Sequence, residues 1–174
     1  LTVVIPTLSV MGYQTIPLPT ALLSSHTGGF ENLYFRDLTD DMHHITAHFD
    51  RLSMTFGSIY TGFLGSEEQI SVVRDFIERF GATPEKKEKT PLILVDPVMG
   101  DDGVLYATYT QELADGMREL STHADVLTPN LTEACFMLGK PYIAKGYSKE
   151  YIEDMLRELT DLGCRCAVIT GVDF

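Results

Sequence analysis

The sequence has 174 residues with 44% hydrophobic and 22% charged side chains, a composition typical of one globular domain with a sizeable core. Its 13 basic and 25 acidic residues give a formal net charge of −12, which argues against nucleic acid or an anionic membrane surface as a partner. No apolar run approaches the roughly 20 residues that cross a bilayer. Three cysteines form no disulfide framework and fit reduced thiols in the cytoplasm, namely Cys135, Cys164 and Cys166.

The first half of the chain alternates predicted helices and strands around one long loop. Pro6 is expected to kink or shorten the first helix, which ends at Gly12. Ser66 and Gln69 have the spacing of a capping box at the start of the third helix. In chain order, the predicted elements are a helix at 1–11, a strand at 13–19, a loop at 20–35, a helix at 39–55, a strand at 58–65 and a helix at 69–80.

The second half continues this alternation, and its strands are continuously apolar. Such strands are typical of a mostly parallel sheet with helices on both faces, so we predict an α/β fold. The chain starts at Leu1 and stops shortly after a predicted strand, and we therefore expect it to be part of a longer protein. The predicted elements are a charged loop at 82–90, a strand at 92–95, a helix at 110–121, a strand at 124–129, a helix beginning after Asn130, a helix at 148–163 and a strand at 166–170.

Polar residues follow each of the last three predicted strands. In a parallel sheet the carboxyl ends of the strands share one rim, and ligands bind beyond it. Hard oxygen ligands on one rim suit Mg²⁺, and a metal-bound polyphosphate would account for the acidity there. These residues are Asp96 and Asp101 after the first strand, Thr128, Asn130 and Glu133 after the second, and Thr170 and Gly171 after the third.

Structural interpretations of the same residues stay open at this point. Asn130 and Glu133 also have the spacing of a helix N-cap and its capping-box partner. The segment 101–103, Asp-Asp-Gly, is compatible with a plain turn. No Walker A pattern is present, because Gly139 and Lys140 lack the upstream glycine and the following Ser or Thr.

Five ordered segments resemble the pyridoxal kinase group of the ribokinase-like vitamin kinases, and the resemblance covers essentially all 174 residues. The segments are "PTALLSSHTGGF", "YTGFLGS", "VDPVMGDDG", "ADVLTPNLTEACFMLG" and "VITG". The resemblance implies a ribokinase-like fold, with residues 1–174 forming a single incomplete kinase domain. It also implies phosphoryl transfer from ATP to the 5′-hydroxymethyl group of a vitamin B6 compound (pyridoxal, pyridoxine or pyridoxamine), and it suggests a homodimer.

Carried over to this chain, the resemblance implies roles for four sets of residues. Asp101 and Glu133 would act around Mg²⁺ and the ATP phosphates. Asp96, Thr128 and Thr170 would help to form a site for a monovalent cation, K⁺ or Na⁺. The remaining residues are Asn130, Tyr106, Thr170 and Gly171 at the nucleotide, and Thr20, His26 and Phe63 at the pyridine substrate.

The chain also departs from the group's pattern. Phe63 stands where the group usually has a substrate-side Tyr, and Gly171 replaces a Ser or similar residue beside the nucleotide. The leading strand and the Gly-x-Gly-Asp motif are absent, and the Asp of that motif is the expected catalytic base. We therefore assign no catalytic residue in this chain and expect the segment alone to be inactive.

Two other functions compete with a B6 kinase. A hydroxymethylpyrimidine kinase of thiamine synthesis would share the fold and the chemistry of a ring-bound CH₂OH group. A non-catalytic binding or regulatory protein would retain the fold without the catalytic base. The segment "SSHTGG" and the Gly-Asp that follows "DPVM" favour the B6 kinase over the pyrimidine kinase.

Overall fold

The computed structural model describes residues 2–25, 32–81 and 90–174. His26 and most of the predicted charged loop lie outside the described residues. The chain divides into two compact units, Leu1–Met54 and Thr55–Phe174, and each is considered by itself below. In the described ranges, no helix is long and apolar enough to cross a membrane.

The first unit contains two helices and a β-hairpin. The first helix is shorter than predicted, because Pro6 falls in its first turn, where a missing N–H costs no helical hydrogen bond. The predicted strand at 13–19 is wrong: pairing starts at Ala21, after a segment whose prolines cannot donate to a strand ladder. The elements are α1 (Val4–Val10), β1 (Ala21–Leu23), the antiparallel β2 (Phe35–Asp37) and α2 (Thr39–Arg51).

The second unit is built on a parallel four-stranded sheet whose strands follow one another in chain order. Apolar strands joined by helices produce this arrangement, as the sequence predicts. The sheet strands are β3 (Ser58–Thr61), β4 (Leu92–Val95), β7 (Val126–Leu127) and β8 (Cys166–Ala167), while β5 (Gly100–Asp101) and β6 (Val104–Leu105) form a hairpin; the helices are α3 (Glu67–Gly81), α4 (Gln111–Ser121), α5 (Leu131–Leu138) and α6 (Lys149–Asp161).

The four helices that the structure describes in the second unit pack side by side over one face of its sheet, so the predicted cover of both faces by helices is not seen within this unit. Right-handed crossovers between consecutive parallel strands place successive helices on the same side, and α3 contacts α4, α4 contacts α5 and α5 contacts α6. Ile59, Val95 and Leu127 are buried on this face, whereas Tyr60 and Leu92 are exposed. The apolar stripes of the helices complete the core, as their spacing predicts, with Ile70, Val73, Met117, Leu120, Met155 and Leu159 all buried.

Ser66 and Gln69 stabilise the start of α3 in a variation on the predicted capping box. The Ser66 hydroxyl accepts a hydrogen bond from the Gln69 backbone N–H at 3.2 Å. The Gln69 side chain, which is fully buried, accepts from the backbone N–H of Gly65 at 2.9 Å. Together these bonds hold the turn between β3 and α3 and thereby fix the segment that carries Phe63.

Candidate functional site

The loops that follow β4, β7 and β8 meet at one rim of the sheet, as predicted. Val95 pairs with Leu127, so Asp96 and Thr128, the next residues along each strand, are neighbours. The Thr128 backbone N–H donates to the Val95 carbonyl at 3.0 Å. At the adjoining strand, the Thr170 N–H donates to the Pro129 carbonyl at 2.8 Å, and Asn130 and Thr170 form a parallel bridge. Five of the predicted site residues therefore lie along one rim, namely Asp96, Thr128, Asn130, Thr170 and Gly171.

Asp101 lies on a tight hairpin above this rim. The two turn residues have φ values of 48° at Asp102 and 79° at Gly103, and an Asp-Gly pair is well suited to such a turn. Residues 101–103 therefore form a turn, as their sequence allows. Gly100 allows the two strands to approach, because a Cβ there would lie 2.3 Å from the Val104 carbonyl oxygen. The Gly103 N–H donates to the Thr132 hydroxyl at 2.9 Å, which joins the hairpin to α5.

Asn130 and Glu133 form the predicted capping box at the start of α5. The Asn130 Oδ1 accepts from the Glu133 N–H at 2.9 Å, and the Glu133 Oε2 accepts from the Asn130 N–H at 2.7 Å. Both side chains also reach beyond the helix: the Asn130 Nδ2 donates to the Gly100 carbonyl at 2.8 Å, and the Glu133 Oε1 accepts from the Met99 N–H at 3.2 Å. The cap therefore also holds the Asp101 hairpin in place.

Burial keeps the carboxyl groups of Glu133 and Asp96 from ionising easily. Glu133 is only 3% exposed, and its desolvation raises its pKa to about 7 despite the backbone N–H groups that favour the charged form. The negative charge of Asp96 raises the Glu133 pKa further. Burial also raises the pKa of Asp96, and the Tyr60 hydroxyl, which donates to Asp96 Oδ2 at 3.3 Å, opposes that rise.

Tyr106 lies among these acidic side chains. Burial raises the pKa of its hydroxyl, and the carboxylates of Asp101, Glu133 and Asp96 raise it further, in that order. Its backbone N–H donates to the Met99 carbonyl at 2.9 Å, so it follows directly from the hairpin. The three carboxylates are therefore close enough to act on a single hydroxyl. In the described ranges, no Lys or Arg forms an ion pair with any of them.

This concentration of uncompensated charge fits a bound cation. Within the described residues, however, no group of three or more His, Cys, Asp or Glu side chains is arranged to hold a metal by itself. Mg²⁺ is commonly held by one or two carboxylates, with water and substrate phosphates completing its shell. The residues present therefore suit a magnesium ion that shares its ligands with a polyphosphate better than an enclosed protein cage.

The backbone conformation at position 171 accounts for the glycine there. Gly171 follows Thr170 at the end of the last strand and has a φ of 69°, in the left-handed region that favours glycine. A Ser at this position would be strained, so the departure from the group's pattern matches the local conformation. The Thr170 hydroxyl donates to the Pro129 carbonyl at 3.4 Å and faces the neighbouring loop of the rim.

The predicted substrate residues are divided between the two units. Thr20 belongs to the first unit, where its half-buried side chain precedes β1 and its carbonyl accepts from the Leu38 N–H at 3.1 Å. Phe63 belongs to the second unit, between β3 and α3, and its half-buried ring meets the Tyr109 ring edge-on, with centroids 6.3 Å apart. His26 lies outside the described residues.

The sequence did not single out three residues that the structure places at the site. Tyr60 donates to Asp96, and Thr132 accepts from Gly103. Tyr109 packs against Phe63 and is buried. Tyr60 and Tyr109 are ordinary aromatic residues in sequence, and Thr132 is two residues past the predicted cap, so no local pattern marks any of them.

Comparison with known proteins places the chain in a family. The sequence model of the phosphomethylpyrimidine kinase family matches residues 5–174. The pyridoxine/pyridoxal/pyridoxamine kinase of Bordetella avium is 34% identical over 145 residues, which cover 77% of this chain and 45% of that protein. The chain therefore spans about half the length of this curated relative.

Solved structures agree with this assignment. A Bacteroides thetaiotaomicron protein assigned to the phosphomethylpyrimidine kinases and crystallised with pyridoxal matches with a TM-score of 0.91 and 47% identity, over 100% of this chain and 58% of that one. The pyridoxal kinase of Lactobacillus plantarum matches with a TM-score of 0.83 and 32% identity, over 98% of this chain and 58% of that one. The chain therefore belongs to the phosphomethylpyrimidine kinase family, and its resemblance to the pyridoxal kinases of ribokinase-like fold is confirmed.

Proposed function

We propose that the protein containing this chain phosphorylates the 5′-hydroxymethyl group of vitamin B6 compounds with ATP. The observation that carries this proposal is the acidic rim at the start of α5. The chain that forms this rim is 47% identical over its full length to a protein crystallised with pyridoxal. The pyridoxal kinase of Lactobacillus plantarum shares the fold at 32% identity, and the pyridoxine/pyridoxal/pyridoxamine kinase of Bordetella avium is 34% identical over 145 residues. We propose that residues 1–174 form one incomplete kinase domain, which holds the metal site and part of both the nucleotide and the substrate pocket.

The nucleotide would bind at the rim built by β4, β7 and β8. Asp101 and Glu133 would hold Mg²⁺, which when bound neutralises the phosphate charges and supports phosphoryl transfer. Asp96, Thr128 and Thr170 would contribute to a monovalent-cation site, K⁺ or Na⁺. In the described ranges neither Asp96 nor Glu133 has a Lys or Arg ion-pair partner, which supports cation binding at both carboxyl groups.

The chain's own residues would act mainly by positioning. Asn130 and the first turn of α5 lie at the rim, where the positive end of the helix dipole favours phosphate. Tyr106, Thr170 and Gly171 would line the nucleotide. During transfer the hydroxymethyl oxygen forms a bond to the γ-phosphorus while the bond to the ADP oxygen breaks, and the hydroxymethyl proton leaves to a base. We assign that base to no residue of this chain, and we propose that the segment alone is inactive.

On the substrate side, we assign the pyridine ring to Thr20, His26 and Phe63. The half-buried ring of Phe63 offers an apolar surface for a planar heterocycle. We also propose a homodimer in the cytoplasm, and the three cysteines, which are all free thiols, are consistent with a reducing compartment.

A second function is favoured by the family description itself. The matching family is named for phosphomethylpyrimidine kinase, so hydroxymethylpyrimidine, which also carries a ring-bound CH₂OH group, is the alternative substrate. A non-catalytic protein that retains the fold is the third possibility, and a missing catalytic base in the complete gene product would favour it.

Substrate comparison tests the proposal. ADP release by the complete gene product with Mg·ATP should be measured with pyridoxal, pyridoxine, pyridoxamine and hydroxymethylpyrimidine in parallel. We expect kcat/KM for at least one B6 compound to exceed that for the pyrimidine by roughly tenfold or more. If only the pyrimidine is turned over, the substrate assignment is wrong. If none of the compounds is turned over, the assignment of kinase activity is wrong.

A further inference from the structure

The Asp96 carboxylate has one hydrogen-bond partner among the residues that the structure describes, and that partner is Tyr60. The Tyr60 hydroxyl donates to the Asp96 Oδ2 at 3.3 Å. In the same part of the chain, no Lys or Arg forms an ion pair with Asp96. The orientation of this carboxylate therefore depends on a single side-chain contact.

The main chain around both residues is held by the sheet. Tyr60 pairs with Leu94 in the parallel register of β3 and β4. Beyond the end of β4, the Asp96 N–H still donates to the Thr61 carbonyl at 3.2 Å, and the Asp96 carbonyl accepts from the Val98 N–H at 2.9 Å. Rotation about the side-chain bonds is thus the main freedom left to the carboxylate, and a donor mounted on the adjacent strand restricts that rotation.

The alternation of side chains places Tyr60 and Asp96 on the same face of the sheet. Successive side chains of a strand point to opposite faces. Ile59 and Val95 are buried on the face that the helices cover, so the residue after each of them lies on the other face. By the same alternation, Thr128 follows the buried Leu127. Tyr60 therefore reaches Asp96 from the side of the sheet that Thr128 shares.

Burial accounts for only part of what Tyr60 contributes. Its side chain is 47% exposed, so its ring removes less apolar surface from water than a core residue does. Its hydroxyl donates to an ionisable acceptor, and hydrogen bonds to a carboxylate are stronger than those between neutral groups. Because the bond engages Oδ2, and no described residue donates to Oδ1, the second oxygen is left to ligate a cation.

We propose that Tyr60 is a positioning residue, which holds the Asp96 carboxylate in the orientation that binds the monovalent cation of the rim. This inference rests on the proposed function, which assigns Asp96 to that cation, and it gives a role to a residue outside the predicted set. Tyr60 acts through Asp96 and needs no contact with the nucleotide or with the pyridine. Its loss should therefore weaken cation binding and leave substrate binding intact.

The Tyr60→Phe variant of the complete gene product tests the inference, because it removes the donor and preserves the ring. KCl and NaCl are each titrated in the presence of Mg·ADP, with tetramethylammonium chloride keeping the ionic strength constant. The rise of Tm with salt concentration gives the apparent Kd of each cation. We expect the apparent Kd of the tighter-binding cation to rise roughly 3- to 10-fold, as for the loss of one hydrogen bond.

Two further readouts separate positioning from a general loss of stability. Without alkali cation, the Tm of Tyr60→Phe should lie within about 2 °C of the wild type, since the side chain is half exposed. The salt concentration that gives half-maximal ADP release should rise by the same factor as the apparent Kd, and kcat at saturating salt should recover. KM for pyridoxal should change by less than about twofold.

Tyr151→Phe is the matched control, because it removes a phenol oxygen whose partners lie elsewhere. The Tyr151 hydroxyl donates to the Pro141 carbonyl at 3.4 Å and contacts the Cys135 Sγ at 3.9 Å. Its removal should lower Tm equally at every salt concentration and leave the apparent Kd of the cation unchanged. An unchanged apparent Kd in Tyr60→Phe, or a uniform loss of Tm like that of the control, would overturn the inference.

The inference and the proposed function fail in different ways. If the wild-type protein phosphorylates pyridoxal and Tyr60→Phe binds the cation equally well, only the role of Tyr60 is wrong. If the wild-type protein turns over no compound, the Tm titration still decides. Weaker cation binding by the variant then supports the role of Tyr60, whereas equal binding, or no rise of the wild-type Tm with either salt, overturns it.

Discussion

Asn130 and Glu133 cap each other at the start of α5, and the same two side chains hold the hairpin that carries Asp101. The reciprocal bonds measure 2.9 and 2.7 Å, and the additional bonds to Gly100 and Met99 measure 2.8 and 3.2 Å. The helix cap and the proposed ligand platform are thus one structure here. Disturbing the cap should consequently change nucleotide binding as well as stability.

The dual role of Asn130 can be tested with Asn130→Ser. Serine retains an N-cap acceptor for α5 but lacks the amide N–H that reaches the Gly100 carbonyl. We expect KM for Mg·ATP to rise roughly 3- to 10-fold, while the free energy of unfolding falls by about 1 kcal/mol. Steady-state kinetics and urea denaturation of the complete gene product measure the two effects.

Ser148→Ala is the control for this variant. Ser148 is the N-cap of α6, away from the rim, and its hydroxyl accepts from the Tyr151 N–H at 3.2 Å. It should lose about 1 kcal/mol of stability with no change in KM for Mg·ATP. Equal kinetic behaviour of the two cap variants would contradict the platform role of Asn130.

The raised pKa of Glu133 should make the stability of the folded protein depend on pH. Burial raises its pKa from 4.5 to about 7, so the folded protein binds this proton more tightly than the unfolded chain does. The resulting stabilisation is fully present below the unfolded pKa and is lost as pH rises through about 7. In metal-free buffer, the free energy of unfolding should therefore fall between about pH 5 and about pH 7.5 by roughly 2 kcal/mol more than in Glu133→Gln.

Glutamine cannot titrate, so the comparison concerns the slope with pH and not the absolute stability of the variant. Urea denaturation of both proteins across this pH range provides the slopes. Parallel profiles for the wild type and Glu133→Gln would contradict the assigned pKa.

A methyl group added at Gly103 should displace the Asp101 hairpin. Its φ is 79°, and a Cβ there would lie 2.5 Å from Cδ1 of the Tyr142 ring. Gly103→Ala should lower stability by more than the roughly 1–2 kcal/mol of left-handed strain and should raise KM for Mg·ATP severalfold. Thermal denaturation and steady-state kinetics measure both consequences.

Gly139→Ala separates backbone strain from the clash. Gly139 ends α5 with a φ of 64°, but no atom lies within 4 Å of its added Cβ. The substitution should cost only the strain and should leave KM for Mg·ATP unchanged. Equal effects at the two glycines would show that the Tyr142 contact does not position the hairpin.

Much of the second unit could be predicted from local patterns. The apolar period of α4 and α6 predicts their bounds to within two residues, and the spacing of Asn130 and Glu133 predicts their reciprocal cap. The shared rim follows from parallel strands alone. These features depend on neighbours in sequence or on a general rule of topology, so a single chain is enough to infer them.

The features that could not be predicted depend on distant contacts. The β1–β2 hairpin joins Ala21 to Asp37 across a long connection whose sequence has no strand period. The packing of the Tyr109 ring against Phe63 joins residues that are distant in sequence, and no pattern near residue 109 marks it. Similarly, the link from Thr132 to Gly103 spans 29 positions.

The most direct test of the acidic platform compares two neighbouring carboxylates of one turn. Both side chains are exposed, but Asp101 lies beside Tyr106 and the rim, whereas Asp102 occupies the turn with a φ of 48°, a conformation that asparagine tolerates. Each Asp→Asn substitution removes the same charge. ADP release by the complete gene product with pyridoxal and Mg·ATP should fall by roughly 100-fold or more in Asp101→Asn and change by less than about twofold in Asp102→Asn. Equal turnover in the two variants would show that the hairpin is an ordinary turn and not part of a nucleotide site.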